Sequence, residues 1–221
     1  MEFIIIALVG GIWIWREFAK SAKLWQIERD VEELRIWTER KDSQLIKIHA
    51  DLKKIYTSGP NSLVKTFNYV MSGKGKRIRP ILTLLTSKSL FGNYKKSYNA
   101  AIAVEILHNF TLVHDDIMDR DHIRHGQKTV HHKWDDGIAI LTGDAMLSLA
   151  LNLLNQSNVQ HAQMKIFIEG LLAVCEGQAL DKEFEINTSV TLDEYLKMID
   201  LKTGHLIGLA AELGAMSAGA D

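Results

Sequence analysis

The chain has 221 residues, and its 26 lysine and arginine residues nearly balance its 27 aspartate and glutamate residues. This neutrality, and the lack of a basic stripe with interleaved aromatic residues, argue against a nucleic-acid-binding protein. A hydrophobic content of 47% with only two prolines fits one helical domain, and the single cysteine excludes a disulfide within the chain.

Residues 3–15 form an unbroken run of apolar or glycine residues near the N-terminus. A helix needs about 20 residues to cross the hydrocarbon core, so the run is short for a transmembrane span. Glu2 and the lack of a small-residue cleavage site argue against a secretory signal peptide. Trp13 and Trp15 are typical of a membrane interface. We therefore interpret residues 1–19 as a short membrane anchor, with a helix buried against protein or a non-native start as the open alternatives.

The apolar residues after this run recur at intervals of three and four, as at Leu24, Ile27, Val31 and Leu34. Such spacing predicts a long amphipathic helix or a marginal coiled coil. We assign residues 20–44 to a helical stalk. The similar pattern in residues 45–58 is assigned to the start of the next domain. Ser58-Gly59-Pro60-Asn61 is the clearest break, and Pro60 is suited to start another helix.

A basic loop occupies residues 73–80, with the sequence GKGKRIRP. Pro80 favours the first turn of a helix, and Arg79, which precedes it, is expected to be extended. The loop therefore brings four cations to a helix N-terminus, where free N–H groups also favour anions: Lys74, Lys76, Arg77 and Arg79. Taken alone, such a loop is also compatible with a solvated surface or a nucleic-acid patch.

An acidic motif with the sequence HDDIMD occupies residues 114–119, at the end of an apolar run. On a helix, positions i and i+4 share one face, so Asp115 and Asp119 can point into the same space. Carboxylate oxygens suit Mg²⁺, and Arg124, a few residues later, can grip a phosphate in a fork. The motif predicts a magnesium–diphosphate site, although an isolated DxxxD is more often a solvated helix end.

Two further predictions concern local structure. Asp135-Asp136-Gly137 is expected to form a turn or a helix start. The apolar stretch 167–174 precedes Cys175, so this thiol is expected in the core.

Several motifs in consistent order resemble those of the trans-isoprenyl diphosphate synthase, or polyprenyl synthetase, family. They are the GKRxRP loop, the DDxxD motif with its trailing arginine and glycine, Gly143-Asp144, the segment EGQALD at 176–181, and Lys202-Thr203-Gly204. The resemblance covers roughly residues 45–221. It implies an all-α isoprenoid synthase bundle around a central cavity, and a reaction that joins an allylic diphosphate to isopentenyl diphosphate.

The resemblance also implies roles for individual residues. Asp115 and Asp119 match direct ligands of Mg²⁺, with Asp116 as a supporting carboxylate. Lys202 and Thr203 match the pair that reaches the allylic diphosphate and the C–O bond that breaks. The remaining matches are substrate-binding residues: Lys76, Arg79 and His108 for isopentenyl diphosphate, Arg124 for the allylic diphosphate, and Gln178 and Asp181 in the cavity wall.

The sequence departs from the family pattern in two places. Two adjacent arginines usually precede the glycine of the first motif, but here the second is His125, which should bind isopentenyl diphosphate more weakly and with pH sensitivity. Family members also carry a second aspartate-rich motif on later helices, which is absent from these 221 residues. We therefore expect the domain at 45–221 to be partial, without the C-terminal helices.

Phe110 and Thr111 lie five and four residues before Asp115, about one helical turn deeper in the expected cavity. In the family, a bulky aromatic residue at this place acts as a floor. Phe110 therefore predicts a short product of fifteen to twenty carbons, with plain core packing as the alternative.

The sequence alone leaves three functions open. The favoured one is a Mg²⁺-dependent short-chain prenyltransferase, expected to be a homodimer in the cytoplasm with membrane contact through residues 3–15. The second is a non-catalytic, regulatory subunit that pairs with a complete synthase. The third is a metal-dependent phosphohydrolase built on His108, His114, Asp115 and Asp119, which leaves the basic loop and Lys202-Thr203 unexplained.

Overall fold

The structure is a computed structural model, and it describes residues 43–91, 97–156, 161–187 and 189–220. The chain divides into two units, residues 1–44 and 45–221. The predicted anchor and almost all of the predicted stalk lie outside the described residues. Nearly all of the described residues therefore belong to the second unit.

Helices make up nearly all of the described structure, which confirms the predicted all-α class. A first helix, α1, covers residues 43–52. The later helices are α2 (Asn61–Met71), α3 (Ile78–Phe91), α4 (Tyr98–Met118), α5 (Val130–Lys133), α6 (Asp136–Asn155), α7 (His161–Phe184), α8 (Leu192–Ile199) and α9 (His205–Ala218). A π-helical turn, Asp200–Gly204, joins α8 to α9.

Two of these helices begin where the sequence predicts. Pro60 precedes the first residue of α2, so its missing N–H costs no helical hydrogen bond. Asp135 caps α6, since its side chain accepts a hydrogen bond from the backbone N–H of Ile138 at 2.7 Å. Both predicted boundaries are confirmed.

Helix α4 lies at the centre of the bundle and packs against α2, α3, α6, α7 and α9. Its first half, from Ala100 to Leu107, is buried throughout, and small residues there let the neighbouring helices approach. Gly214 plays the same part between α9 and α3, because a Cβ atom there would lie 3.0 Å from the backbone carbon of Thr83. The first half of α4 is therefore closely packed against its neighbours.

The start of α3 differs from the prediction. Arg79 lies within the helix, which begins at Ile78, so the expected extended conformation of Arg79 is wrong. Pro80 is tolerated as the third helical residue because the N–H groups of a first turn have no intrahelical partner. The change of chain direction occurs at Arg77, whose φ of 50° lies in the left-handed region.

A short β-hairpin comes directly after α4. Strand β1 (Ile123–Arg124) pairs antiparallel with β2 (Gln127–Lys128). The two residues between them, His125 and Gly126, both have positive φ angles, of 51° and 79°. This is the geometry of a tight primed hairpin turn.

Candidate active site

A cavity of about 370 Å³ lies between α4, α7, the π-helical turn and α9, with Arg79 of α3 at its wall. Apolar side chains such as Val174 and Leu206 share its lining with charged and polar groups. Many of the predicted site residues meet here: Arg79, His108, Phe110, Thr111, Asp115, Gln178, Lys202 and Thr203. The predicted central cavity is present, and it combines an apolar wall with a polar end.

The two carboxylates predicted to bind Mg²⁺ face lysines from another part of the chain. The Lys202 ammonium lies 3.6 Å from Asp115, and the Lys182 ammonium lies 2.7 Å from Asp119. Burial raises the pKa of the Asp115 carboxyl, and the positive charge of Lys202 opposes that rise. The present partners of Asp115 and Asp119 are thus flexible side chains.

The position of Lys202 depends on a close approach between α7 and the π-helical turn. A Cβ atom at Gly177 would lie 2.7 Å from the Cα of Lys202, so only glycine allows this contact. Lys202 donates a hydrogen bond to Asp181 at 2.5 Å. Burial lowers the pKa of Lys202, but this hydrogen bond and the nearby aspartates outweigh it, and the net shift is upward. The motifs at 176–181 and 202–204 therefore form one unit that presents a permanent cation to the cavity.

Arg124 and Asp116 hold each other in place beside the carboxylate pair. Arg124 donates to the buried Asp116 at 2.7 Å and to Asp121 at 3.1 Å. Its guanidinium also lies 3.9 Å from Asp115. Arg124, Asp116 and His125 line a separate cavity of about 30 Å³. This placement agrees with a supporting role for Asp116.

The basic loop contributes fewer free cations than the sequence predicts. Arg77 is buried and forms an ion pair with Glu105, so it cannot contact a ligand in the cavity. The prediction of four anion-binding cations is wrong for this residue. Lys76 has an exposed side chain and is not among the residues lining the 370 Å³ cavity, whereas Arg79 lines it.

His108 lies beside Arg79 in the cavity wall and is uncharged at neutral pH. Burial, together with the positive charge of Arg79 and Arg77, lowers the pKa of His108 to about 3. The nitrogen Nε of Arg79, the nitrogen Nε2 of Gln178 and the oxygen Oδ1 of Asp115 are buried without a hydrogen-bond partner. The Lys202 ammonium faces this Asp115 oxygen at 3.6 Å, whereas the two nitrogens have no partner. Buried polar atoms are nearly always paired, so two such nitrogens around one cavity indicate a polar ligand.

Phe110 lines the cavity one turn of α4 before the carboxylates. Its ring contacts the ring of His114 edge to face, with centroids 4.8 Å apart. His114 fits against α6 because Gly143 has no side chain: a Cβ atom there would lie 2.5 Å from Cδ2 of His114. The hydroxyl of Thr111 donates to the backbone oxygen of His108, so its methyl group is the part left to shape the wall.

One residue of α7, Cys175, differs from its prediction, and another, Lys182, was not predicted. Cys175 is exposed and lines the cavity, so the prediction of a core thiol is wrong. Lys182, the partner of Asp119, was not predicted. Both lie on one helical face with Gln178 and Ala179, at the spacing i, i+3, i+4 and i+7. Because the sequence predicts Gln178 in the cavity wall, helical spacing from Gln178 would have placed Cys175 and Lys182 in the same wall.

The donor set fits magnesium. Asp115 and Asp119 supply hard carboxylate oxygens, and one oxygen of Asp115 has no hydrogen-bond partner. Within the described part of the chain, no three His, Cys, Asp or Glu side chains are grouped closely enough to hold an ion by themselves. Mg²⁺ is usually bound through one or two carboxylates, with water and substrate phosphates completing the shell, and these residues can supply such a site.

Comparisons with known proteins agree with this chemistry. The polyprenyl synthetase family model matches residues 60–221. A geranylgeranyl diphosphate synthase of Methanosarcina mazei is 41% identical over 166 residues, which cover 73% of this chain and 51% of that protein. A (2E,6E)-farnesyl diphosphate synthase of Mycobacterium bovis is 43% identical over 148 residues, 66% of this chain and 41% of that protein.

The fold comparison points the same way. The structure of a geranylgeranyl pyrophosphate synthetase from Geoglobus acetivorans superimposes with a TM-score of 0.78 at 37% identity, covering 81% of this chain and 60% of that one. The chain spans about half the length of the curated relatives it matches.

Proposed function

The chain belongs to the polyprenyl synthetase family, and from this premise we propose that it joins an allylic diphosphate to isopentenyl diphosphate. The observation that carries the proposal is the polar end of the 370 Å³ cavity. There Asp115, Gln178 and the cations of Arg79 and Lys202 line one space with an apolar wall. Asp119 lies one helical turn after Asp115 and pairs with Lys182, which also lines the cavity. A diphosphate with a prenyl tail has the matching chemistry.

The chemistry that this site supports begins with breakage of the allylic C–O bond, which leaves a carbocation and a diphosphate. Asp115 and Asp119 would hold Mg²⁺, which stabilises the negative charge of the departing diphosphate. Lys202 and Thr203 would contact the same leaving group, and a preorganised cation is most effective where charge develops. The apolar wall, including Val174 and Leu206, excludes water from the carbocation. The departing diphosphate would accept the final proton, so no side-chain nucleophile is needed.

Isopentenyl diphosphate would bind at the polar end of the cavity as well, to Lys76, Arg79 and His108. His108 is neutral, so it can give a directed hydrogen bond without adding charge. Arg124 would contact the allylic diphosphate, and His125 would contact isopentenyl diphosphate more weakly than an arginine. Gln178 and Asp181 would complete the wall, Asp181 by orienting Lys202.

The main test is incubation of the chain with Mg²⁺, isopentenyl diphosphate and each allylic diphosphate, with products identified by mass spectrometry. We expect an elongated prenyl diphosphate, reduced about a hundredfold or more in Asp115→Ala. Asp193→Ala, on the exposed start of α8, is the matched control and should retain activity. Binding of diphosphate without turnover would contradict catalysis by this chain and would favour pairing with a complete synthase.

The product is proposed to have fifteen to twenty carbons because Phe110 lines the cavity about one helical turn before Asp115. Phe110→Ala should lengthen the products, and the same mass spectra will show it. Products of unchanged length would contradict the role of Phe110 as a floor. Thr111→Ala is the companion variant, with a smaller expected effect because it removes only a small group from the wall.

Homodimerisation is proposed through α6. This helix has a mean hydropathy of 1.7 over its most apolar stretch, of which 33% is buried, and Ile140 and Leu141 on it are exposed. Apolar faces of this kind commonly cover each other in dimers. Light scattering should give twice the chain mass, and Leu141→Glu should shift it toward the monomer.

We further propose a cytoplasmic domain with membrane contact through residues 3–15, to be tested by flotation with lipid vesicles before and after removal of that segment.

A further inference from the structure

Arg77 is the most completely satisfied charged side chain of the basic loop. It is 4% exposed, and its partner Glu105 is 2% exposed. Besides this ion pair, the guanidinium donates to the backbone oxygens of Met71 at 2.7 Å and Gly73 at 3.0 Å, and to Nε2 of His49 at 3.1 Å. These contacts leave it no part in binding a ligand.

These partners come from separate parts of the chain. Met71 and Gly73 stand at the end of α2 and the start of the loop, Glu105 lies on α4, and His49 lies on α1. Asn109, one turn further along α4, donates to the same carboxylate oxygen of Glu105 at 2.9 Å and thereby fixes its orientation. Arg77 is thus the point where two helices and the loop are joined to α4.

The backbone of Arg77 shows what this junction does to the loop. Its φ of 50° is a left-handed conformation that a side-chain-bearing residue rarely adopts, and it persists only where the surroundings hold it. The turn at Arg77 places Arg79 at the start of α3 and in the cavity wall, while Arg77 itself points into the protein. Glu105 lies three residues before His108 on α4, so the same contact sets Arg79 and His108 relative to each other.

We propose that Arg77, Glu105 and His49 form a positioning device for the isopentenyl diphosphate site, in which Arg77 binds no substrate but holds the substrate-contacting residues of the loop against α4. The inference rests on the proposed function and deepens it. His49 must accept the hydrogen bond from Arg77 through an unprotonated Nε2, since arginine has donors only. Lysine cannot replace Arg77, because a single ammonium cannot reproduce the planar fork that reaches four acceptors.

The test measures equilibrium binding by calorimetry with the full chain, using isopentenyl diphosphate and geranyl diphosphate separately as ligands. Arg77→Lys should weaken isopentenyl diphosphate binding about tenfold or more, because small displacements of positioning groups have large effects. Binding of geranyl diphosphate should stay within about twofold, since the proposed allylic contacts lie at the end of α4, on β1 and in the π-helical turn. Equal weakening of both ligands, or no change in either, would overturn the inference.

Two controls separate the possible failures. If the unaltered chain binds neither diphosphate, the proposed function itself fails. If Arg77→Lys does not fold, as judged by circular dichroism, the pair His49→Leu and His49→Gln answers the same question. His49→Leu removes the acceptor and should weaken isopentenyl diphosphate binding at least threefold, whereas His49→Gln retains an acceptor oxygen and should restore it. Identical affinities in the two variants would count against the device.

Discussion

The ion pairs in the first half of α4 and at its C-terminal end differ in burial and in permanence. Arg77 and Glu105 are sealed in the protein, with side chains 2% and 3% exposed, whereas Lys202 with Asp115 and Lys182 with Asp119 keep 15–30% of each side chain exposed. Arginine in the sealed pair makes several fixed hydrogen bonds. Lysine in the open pairs is a flexible point charge that can change partner. The same kind of contact therefore serves as a fixed joint in the first half of α4 and as an exchangeable pair at its C-terminal end.

The sealed pair should be the more costly one to break. Glu105→Ala leaves the Arg77 guanidinium buried without its counter-charge, and we expect a loss of about 3–5 kcal/mol in the free energy of unfolding. Chemical denaturation measures this directly. Asp121→Ala, which removes an exposed partner of Arg124, is the control and should cost about 1 kcal/mol or less. A similar loss in both variants would remove the distinction between the two kinds of pair.

The close contact beneath Lys202 gives the next largest effect. Gly177→Ala forces a methyl group against the backbone of the π-helical turn, which should cost about 1–3 kcal/mol of stability and move the Lys202 ammonium. Gly208→Ala on α9 is the matched control, because a Cβ atom there meets nothing within 4 Å. It should be neutral or stabilising, by up to about 1 kcal/mol. If Gly177→Ala behaves like Gly208→Ala, α7 and the turn are not held in contact.

His108 should make stability depend on pH. Its pKa is lowered from the ordinary 6.5 to about 3 in the folded chain, so only the unfolded chain takes up this proton between those two pH values. The folded state therefore loses stability as pH falls below 6.5, by at most about 1.4 kcal/mol per pH unit. His108→Gln should flatten the dependence between pH 6.5 and pH 5. The raised pKa values of Asp115 and Asp116 act in the opposite direction in both proteins, so they largely cancel in the difference.

The open pair should show the smallest effect on stability. Lys182→Ala should leave the melting temperature unchanged, since the partly exposed Asp119 stays solvated without Lys182. It should at the same time tighten the binding of Mg²⁺, because Asp119 loses a competing cation. A magnesium titration followed by calorimetry would show this, and a weaker affinity for Mg²⁺ in the variant would contradict the exchange of partners.

Features set by neighbouring residues were predicted well from the sequence. The start of α2 depends on Pro60, the start of α6 on the Asp135 cap three residues from Ile138, and the shared face of Asp115 and Asp119 follows from helical spacing alone. For these features the information lies within one or two turns of the chain. The order of the motifs, which extends over residues 73–204, also led to the cavity and to half of its lining residues.

The wrong predictions concern side chains whose partners are far away in sequence. Arg77 looks like a ligand-binding cation until Glu105, 28 residues later, is brought against it. Cys175 follows an apolar run, yet the cavity, not the core, lies on its side of α7. Arg79 is helical although it precedes proline, because the fixed turn at Arg77 lets α3 start before it. Tertiary contacts decided the positions of Arg77 and Arg79, whereas the helical spacing between Cys175 and Gln178 could have placed the thiol on the cavity side.

The π-helical turn at Asp200–Gly204 shifts the helical register between α8 and α9. An inserted residue rotates the next helix by about 100° relative to a regular α-helix. Deletion of one residue here would leave composition, charge and hydropathy almost unchanged, but it would turn either Lys202 away from Asp115 or Leu209 and Leu213 out of the core. The length of this segment, as much as its sequence, therefore specifies which side chains reach the cavity.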